Sequence, residues 1–325
     1  MFEELGLIGN LIILIAALVA LNQASNITIN HSIKVASAAG LAKTTVGFIL
    51  VAFSTSLPEL FVAIFAIINP ENVGVSIGNV LGSNIANICL VLGIIGLLIS
   101  SKYKSSAKFL VKMAKEETGG LNFGLLVASV IPLTLLYIGS ASYIIGTILL
   151  IVFSYNMYTL SKTRKDLGAS TSIEEKQKLK RYIIIAILGA VGVVASASFI
   201  VDTASTIALS VGIPRIVIGG TIVAIGTSLP ELVTSIDSVK KGHADLALGN
   251  IVGSCFMNIT LILGITLIAA PFRVELAAFS ELIIFSLVAT NFLWYFLSNE
   301  KIAWREGAIF LFIYIIFLFT SLNGG

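Results

Sequence analysis

Charged residues are scarce in this sequence: they make up 11% of its 325 residues, while 57% are hydrophobic. A soluble domain of this size needs far more charged side chains to cover its surface. Several uncharged runs instead approach or exceed the ~18 residues expected of a membrane-spanning helix, among them residues 143–160 and 182–201. The shortage of charge excludes an ordinary soluble protein and predicts an all-α integral membrane protein, whose main partner is the lipid bilayer.

Cysteine and histidine are also rare, with two of each. Cys89 and Cys255 lie in apolar segments, where a cysteine acts as a small packing residue, so we expect neither a disulfide nor a metal pair. His31 and His243 are far apart in the sequence, which argues against a zinc site. Because no serine or cysteine has a matching histidine base and metalloprotease motifs are absent, the sequence predicts neither an enzyme nor a bound cofactor.

The apolar runs predict ten transmembrane helices. If the spans alternate in direction, all but two of the 20 Lys and Arg residues fall on one side of the membrane, and the exceptions are Arg215 and Arg273. Loops rich in Lys and Arg stay in the cytoplasm, so we expect a multi-pass protein of the cell membrane with both termini extracellular. The predicted spans lie near residues 6–30, 44–68, 74–99, 121–138, 143–161, 182–205, 216–238, 244–270, 276–297 and 307–322.

The longest polar stretch, residues 161–181, divides the chain into two halves of five spans each. Its basic residues place it in the cytoplasm with the other Lys-rich connections. The sequence therefore predicts a first five-helix repeat over residues 1–160, a cytoplasmic linker over 161–181 and a second five-helix repeat over 182–325.

A duplicated motif relates the two halves. The letters TSLPEL occur at residues 55–60 and again at 227–232, and GNVLGSNIANICLVLGI from Gly78 is matched by GNIVGSCFMNITLILGI from Gly249. Since each half has an odd number of spans, the second copy must enter the membrane in the opposite direction. Inverted repeats of this kind are used by many secondary transporters, which place their binding site near the membrane midplane where the copies meet.

Each TSLPEL motif puts a proline and a glutamate inside an apolar span. Pro58 and Pro230 lack an N–H and prevent a continuous helical hydrogen-bond pattern, so we expect broken helices at the midplane with carbonyl oxygens turned inward. Glu59 and Glu231 are costly in the membrane when ionised, and no Lys or Arg is predicted at a comparable depth. The two carboxylates therefore require protons or bound cations.

Hydroxyl and amide side chains recur around each glutamate at helical spacing. Three- and four-residue spacings place such side chains on one face of a helix. Carboxylate, hydroxyl, amide and carbonyl oxygens are hard ligands that suit Na⁺ and Ca²⁺ rather than zinc or copper. These side chains are Thr55, Ser56, Ser83 and Asn87 in the first half and Thr227, Ser228, Ser254 and Asn258 in the second.

The two blocks resemble the alpha repeats of the cation/calcium antiporter superfamily, most closely those of the prokaryotic sodium/calcium exchangers. The resemblance implies exchange of Na⁺ for Ca²⁺ by alternating access, with the first and sixth spans sliding over the others as gates. It implies no cofactor, nucleic acid or obligate protein partner. It also implies a set of cation ligands: Glu59, Thr55, Ser56, Ser83, Asn87, Glu231, Thr227, Ser228, Ser254 and Asn258, with backbone oxygen from Ala52 and Ala224.

One departure from that family concerns charge. Many sodium/calcium exchangers have an aspartate at one of the positions held here by Asn87 and Asn258, so the formal charge of this site is −2, from Glu59 and Glu231. That charge balances one Ca²⁺ or two Na⁺, which argues against a three-for-one exchange and against K⁺ co-transport. A proton-coupled exchanger, or one with a different cation selectivity, is the alternative. A channel would share an oxygen-lined path, but two inverted copies favour alternating access.

Overall fold

The computed structural model of the chain describes most of the sequence. The predicted ligand Ala52 lies outside the described residues. Residues 164–172, in the predicted linker, also lie outside them. The described residues are 6–38, 55–68, 72–102, 123–140, 142–163, 173–240, 244–270, 276–299 and 302–323.

These residues are almost entirely helical, and we number the helices α1 to α10 in chain order. Helices α3, α7 and α8 each include a π-helical turn. The bounds are α1, Gly6–Ala38; α2, Leu57–Ile68; α3, Val73–Ile85, Ala86–Val91 (π) and Leu92–Lys102; α4, Phe123–Ile138; α5, Tyr143–Thr163; α6, Ile173–Val211; α7, Arg215–Ile218, Gly219–Val223 (π), Ala224–Thr227 and Leu229–Lys240; α8, Ala244–Met257, Asn258–Ile262 (π) and Leu263–Ala269; α9, Leu276–Ser298; and α10, Trp304–Asn323.

The predicted all-α fold built from membrane-type helices is confirmed. Within the described ranges, seven helices (α1, α3 and α6 to α10) contain segments long and apolar enough to cross a membrane, and α2, α4 and α5 contain shorter apolar helices. Two helices extend furthest beyond the predicted spans: α1 continues to Ala38 and α6 begins at Ile173. The early start of α6 reflects residues such as Glu174, Lys176 and Lys178, which favour helix although they are too polar for a hydrocarbon core.

Both TSLPEL motifs interrupt their helices at the same position. Ser228 has φ −84° and ψ 4°, outside the helical region, and α2 begins directly after a turn at Ser56. Pro58 and Pro230 follow in the first turn of the next helical segment. Backbone N–H groups in a first turn have no helical acceptor, so the missing proline N–H costs no helical hydrogen bond. The sequence motif therefore places its interruption one turn before each glutamate.

Helices α1 and α6 pack against each other in an apolar cluster that also includes Val62 of α2, Val75 of α3 and Val223 of α7. Leu14 and Leu21 of α1 pack with Val193 and Ile200 of α6, and all four side chains are buried. The helices approach closely at Gly189, where a Cβ atom would lie 2.4 Å from the hydroxyl oxygen of Thr28. This pair is distinct from a second, larger apolar cluster that includes residues of α3, α7, α8, α9 and α10.

Helix α3 contacts α7 through backbone rather than side chains. A Cβ atom on Gly78 would lie 2.0 Å from the carbonyl oxygen of Ile216, and one on Gly82 would lie 2.1 Å from that of Gly220. Gly220 lies in the π-helical turn of α7. The absence of side chains at these glycines lets the two helices approach closely enough for their polar residues to meet.

Candidate functional site

A cluster of buried polar side chains lies on α2, α3, α7 and α8, and we call it the polar cluster. Every member is at most 3% exposed. It contains each side chain that the sequence predicts as a ligand, together with two asparagines that it does not. The members are Thr55, Ser56, Glu59, Asn79, Ser83, Asn87, Thr227, Ser228, Glu231, Asn250, Ser254 and Asn258.

Each glutamate accepts a hydrogen bond from a serine of its own half. The Ser83 hydroxyl donates to Oε1 of Glu59 over 3.4 Å, and the Ser254 hydroxyl donates to Oε1 of Glu231 over 2.9 Å. Ser254 also contacts the first motif, because its hydroxyl oxygen lies 2.7 Å from that of Ser56. The two copies of the motif therefore form one site rather than two separate ones.

Hydroxyl contacts cross between the halves. The hydroxyl oxygens of Ser83 and Thr227 are 3.3 Å apart, and those of Ser56 and Ser254 are 2.7 Å apart. The amide of Asn87 donates to the Ser254 hydroxyl over 3.4 Å. These contacts place the first helix of each motif against the second helix of the other copy.

Several buried oxygens of the polar cluster have no hydrogen-bond donor within the described part of the chain. They include the second carboxylate oxygen, Oε2, of both Glu59 and Glu231 and the amide oxygens of Asn87 and Asn258. A buried oxygen without a donor is unfavourable unless a ligand supplies positive charge. Converging carboxylate and amide oxygens with this deficit fit a hard cation as the transported substrate.

The positive charge does not come from a nearby basic side chain. The sequence contains no Lys or Arg over residues 44–101, 216–239 or 244–270, which include the described parts of α2 and α8 and nearly all of α3 and α7. Each half instead supplies a carboxylate, hydroxyls and an amide. Such oxygens are the kind of ligand that hard cations prefer.

Of the two residues predicted to supply a backbone oxygen, the structure describes Ala224. Ala224 is buried, and its carbonyl oxygen accepts from the N–H of Ser228 over 3.1 Å and, more weakly, from the hydroxyl of Thr227 over 3.4 Å. Ala52 lies outside the described residues.

Asn79 and Asn250 are the members that sequence reasoning missed. The Thr227 hydroxyl donates to the amide oxygen of Asn79 over 2.9 Å, and the Thr55 hydroxyl donates to that of Asn250 over 3.0 Å. A signal was present, because each asparagine follows the first glycine of its matched block and lies four residues before Ser83 or Ser254. That spacing places it on the helix face of the serine.

The π-helical turns were also not predicted. Asn87 lies in the turn Ala86–Val91, and Asn258 begins the turn Asn258–Ile262. A π turn widens the helix by one residue and often occurs at functional sites. Here both amides lie in such a turn, one turn of helix beyond Ser83 and Ser254.

Comparison with known proteins agrees with this architecture. The family model described as "Sodium/calcium exchanger protein" matches residues 9–162 and 181–323. The sodium/calcium exchanger MaX1 of Methanosarcina acetivorans is 29% identical, with 95% of this chain and 97% of that protein covered. A solved structure of the sodium–calcium exchanger NCX_Mj is 29% identical, has a TM-score of 0.61 and is covered over 97% of its length, against 95% of this chain.

A second solved structure shares the fold at lower sequence identity. The H⁺/Ca²⁺ exchanger CAX is 17% identical, with a TM-score of 0.73 over 96% of this chain and 86% of that one. At this identity the likeness concerns the arrangement of helices alone.

Proposed function

We propose that this chain, which belongs to the sodium/calcium exchanger protein family, is a secondary antiporter that exchanges Na⁺ for Ca²⁺ by alternating access. The observation that carries the proposal is the pair Glu59 and Glu231. Both are buried, each has one carboxylate oxygen without a donor among the described residues, and no basic side chain of the described α2, α3, α7 or α8 lies at their depth. Such a pair needs exchangeable positive charge.

The architecture of the proposed antiporter is a pair of inverted five-helix repeats, formed by residues 1–160 and 182–325 and joined by a cytoplasmic linker over 161–181. The crossed contacts of the polar cluster support it, because Ser83 contacts Thr227 and Ser254 contacts Ser56. The first helix of each motif thus contacts the second helix of the other copy, which is the arrangement expected of inverted copies.

Helices α1 and α6 are the proposed moving gates. They pack on each other through the apolar cluster of Leu14, Leu21, Val193 and Ile200, largely apart from the core around α3 and α8. Motion of this pair would expose the polar cluster to one side of the membrane at a time. The bound cations and the four helices that hold them would stay in place.

Proton coupling is the alternative to sodium coupling. Asn87 and Asn258 are uncharged, so two protons on Glu59 and Glu231 would neutralise the site as completely as two Na⁺ ions. A site charge of −2 is balanced either by two monovalent cations or by one Ca²⁺, and an exchange in that ratio is electroneutral. The proposal therefore includes a two-for-one exchange.

Uptake of ⁴⁵Ca²⁺ into proteoliposomes tests the function and separates these alternatives. Vesicles are loaded with Na⁺, with K⁺, or with buffer that imposes only a pH gradient. We expect saturable uptake that requires internal Na⁺. Uptake driven by the pH gradient alone would replace sodium with protons as the coupling ion, and non-saturating uptake without any counter-cation would identify a channel.

The membrane orientation can be tested with single cysteines, because the native Cys89 and Cys255 are buried. We expect Ser170→Cys, in the linker, to react with an impermeant thiol reagent only after the cells are permeabilised. Ser140→Cys, between α4 and α5, is the control and should react in intact cells. Labelling of Ser170→Cys from outside intact cells would show that the proposed orientation is wrong.

Substitution Asn258→Asp should strengthen calcium binding. Both amide atoms of Asn258 are buried without a hydrogen-bond partner in the described chain, and a third carboxylate attracts Ca²⁺ more than Na⁺ because the Coulomb energy scales with ion charge. We expect a gain in apparent Ca²⁺ affinity of about tenfold, or about 1.4 kcal/mol. The gain should grow as pH rises, since protons compete with Ca²⁺ for clustered carboxylates.

A pH series of Ca²⁺ affinities, from mildly acidic to mildly basic, measures this effect. Asn299→Asp is the matched control, because Asn299 is exposed just after α9 and its amide nitrogen donates to the carbonyl of Tyr295 over 2.8 Å. It adds the same charge outside the polar cluster and should leave affinity unchanged. If Asn258→Asp changes affinity at no pH, Asn258 does not face the cation.

A further inference from the structure

Two asparagines of the polar cluster form a crossed pair of hydrogen bonds with two threonines. Thr55 donates to Asn250, 195 residues later, and Thr227 donates to Asn79, 148 residues earlier. Each bond joins a threonine of one half to an asparagine of the other. All four side chains are at most 3% exposed, so water cannot readily replace these bonds.

The chemistry of a hydroxyl makes the direction of these bonds important. A threonine hydroxyl has one proton and two acceptor lone pairs. The Thr227 hydroxyl lies beside the site, because its oxygen is 3.3 Å from that of Ser83, which donates to Glu59. Thr55 is its counterpart in the first motif, four residues before Glu59, so the same hydroxyls could instead point their protons into the cation site. A proton that points at a cation repels it and removes a ligand.

We propose that Asn79 and Asn250 are positioning residues of the ion site, which accept the hydroxyl protons of Thr227 and Thr55 so that the threonine oxygens turn their lone pairs towards the cation. This inference rests on the proposed cation exchange. Each half of the protein thereby orients a ligand of the other half. When the site is empty, each threonine hydroxyl can rotate so that its proton points at the carboxylate. When a cation is bound, the hydroxyl proton points at the asparagine instead.

A second hydrogen bond fixes the amide of Asn250 in place. The amide nitrogen of Asn250 donates to the Ser235 hydroxyl over 3.2 Å, which leaves the amide oxygen directed at Thr55. Thr227 has weaker alternatives to Asn79, namely the Ser83 hydroxyl at 3.3 Å and the Ala224 carbonyl at 3.4 Å, against 2.9 Å to Asn79. Of these three contacts, the one to the amide oxygen of Asn79 is the shortest.

A double-mutant cycle tests whether each asparagine acts through its threonine. Asn250→Leu removes the acceptor and Thr55→Val removes the hydroxyl, each with nearly constant volume. We expect each single variant to lower Ca²⁺ affinity by about tenfold, measured as ⁴⁵Ca²⁺ binding to purified protein. In the Thr55→Val background, Asn250→Leu should cost less than about twofold more, because the group it orients is already absent.

The crossed geometry provides an internal control. Asn250 and Thr227 belong to the same half but are not bonded, so Asn250→Leu and Thr227→Val should act additively on affinity. The reciprocal cycle, Asn79→Leu with Thr227→Val, should again be non-additive. Asn84→Leu serves as a second control, because the amide of Asn84 donates to the carbonyl of Cys255 over 3.2 Å and not to a hydroxyl of the cluster.

A conservative variant keeps the test decisive if Asn250→Leu does not fold. Asn250→Asp retains the accepting oxygen, so Thr55→Val should still lower Ca²⁺ affinity by about tenfold in that background. Full additivity in the Asn250–Thr55 cycle, or no effect of Thr55→Val beside Asn250→Asp, would overturn the inference while leaving cation exchange intact. Wild-type protein that binds no Ca²⁺ would instead overturn the proposed function.

Discussion

Replacement of Glu59 or Glu231 by glutamine is expected to abolish cation exchange while leaving the protein folded. Each substitution preserves side-chain volume and removes half of the charge of the site. A unit charge about 4 Å away contributes about 4 kcal/mol at an effective dielectric constant of about 20. We therefore expect Ca²⁺ affinity to fall by about a hundredfold or more in either variant, which corresponds to about 2.7 kcal/mol.

Glu281→Gln is the matched control for these variants. Glu281 is a partly buried glutamate of α9 that also accepts hydroxyl hydrogen bonds, from Thr320 over 2.5 Å and from Ser321 over 2.9 Å, but it lies outside the polar cluster. Its substitution should leave exchange in proteoliposomes near the wild-type rate. Wild-type exchange and affinity in Glu59→Gln or Glu231→Gln would show that the site has been placed on the wrong residues.

Substitution Gly78→Ala is expected to prevent stable folding. The new Cβ atom would lie 2.0 Å from the carbonyl oxygen of Ile216 and 2.7 Å from the backbone nitrogen of Gly220. Both contacts are with backbone, so no flexible side chain can move aside. Overpacking usually costs about 1–3 kcal/mol, and a clash between two helix backbones should reach or exceed the upper end of that range.

The same helix offers a control that separates this clash from the loss of a glycine. Gly74 lies one turn earlier on α3 and also faces α7, but a Cβ atom there would lie 3.4 Å from its nearest neighbours, Arg215 and Ile216. Thermal unfolding of purified protein should give a Tm for Gly74→Ala close to that of the wild type. A Tm for Gly78→Ala equal to that of Gly74→Ala would show that α3 and α7 are not in backbone contact.

The sequence allowed most members of the polar cluster to be predicted because the motif occurs twice. A single TSLPEL motif is compatible with an ordinary kinked helix, but two copies that each carry a glutamate in an apolar span point to one shared function. The structure places Ser83 in contact with Glu59 and Thr227, and Ser254 in contact with Glu231 and Ser56. Their pairing across the halves could not be predicted, because it depends on how the helices cross.

Asn79 and Asn250 were not predicted as members of the polar cluster. Both lie at the correct helical spacing, but an asparagine in a membrane helix is usually explained by a local hydrogen bond between helices. Only the distances to Thr227 and Thr55 connect them to the site. The π-helical turns at Asn87 and Asn258 had no signal at all, since one extra residue in a helical turn leaves hydropathy and composition unchanged.

The helix ends were predicted less well than the helix centres, for a related reason. Hydropathy reports which residues tolerate lipid, not which residues are helical. The polar segment that begins α6 at Ile173 is rich in Glu, Lys and Gln, which are strong helix formers, so the helix starts well before the apolar span. The site is unaffected, because its residues lie on α2, α3, α7 and α8.

Equilibrium binding of ⁴⁵Ca²⁺ to the purified protein, titrated with Na⁺, tests the central claim most directly: Glu59 and Glu231 form one site that holds Ca²⁺ or Na⁺ in turn. The account predicts about one Ca²⁺ per chain, competitive displacement by Na⁺, and loss of binding in the Glu59→Gln/Glu231→Gln double variant. Calcium binding that persists in the double variant, or that Na⁺ does not displace, would contradict it.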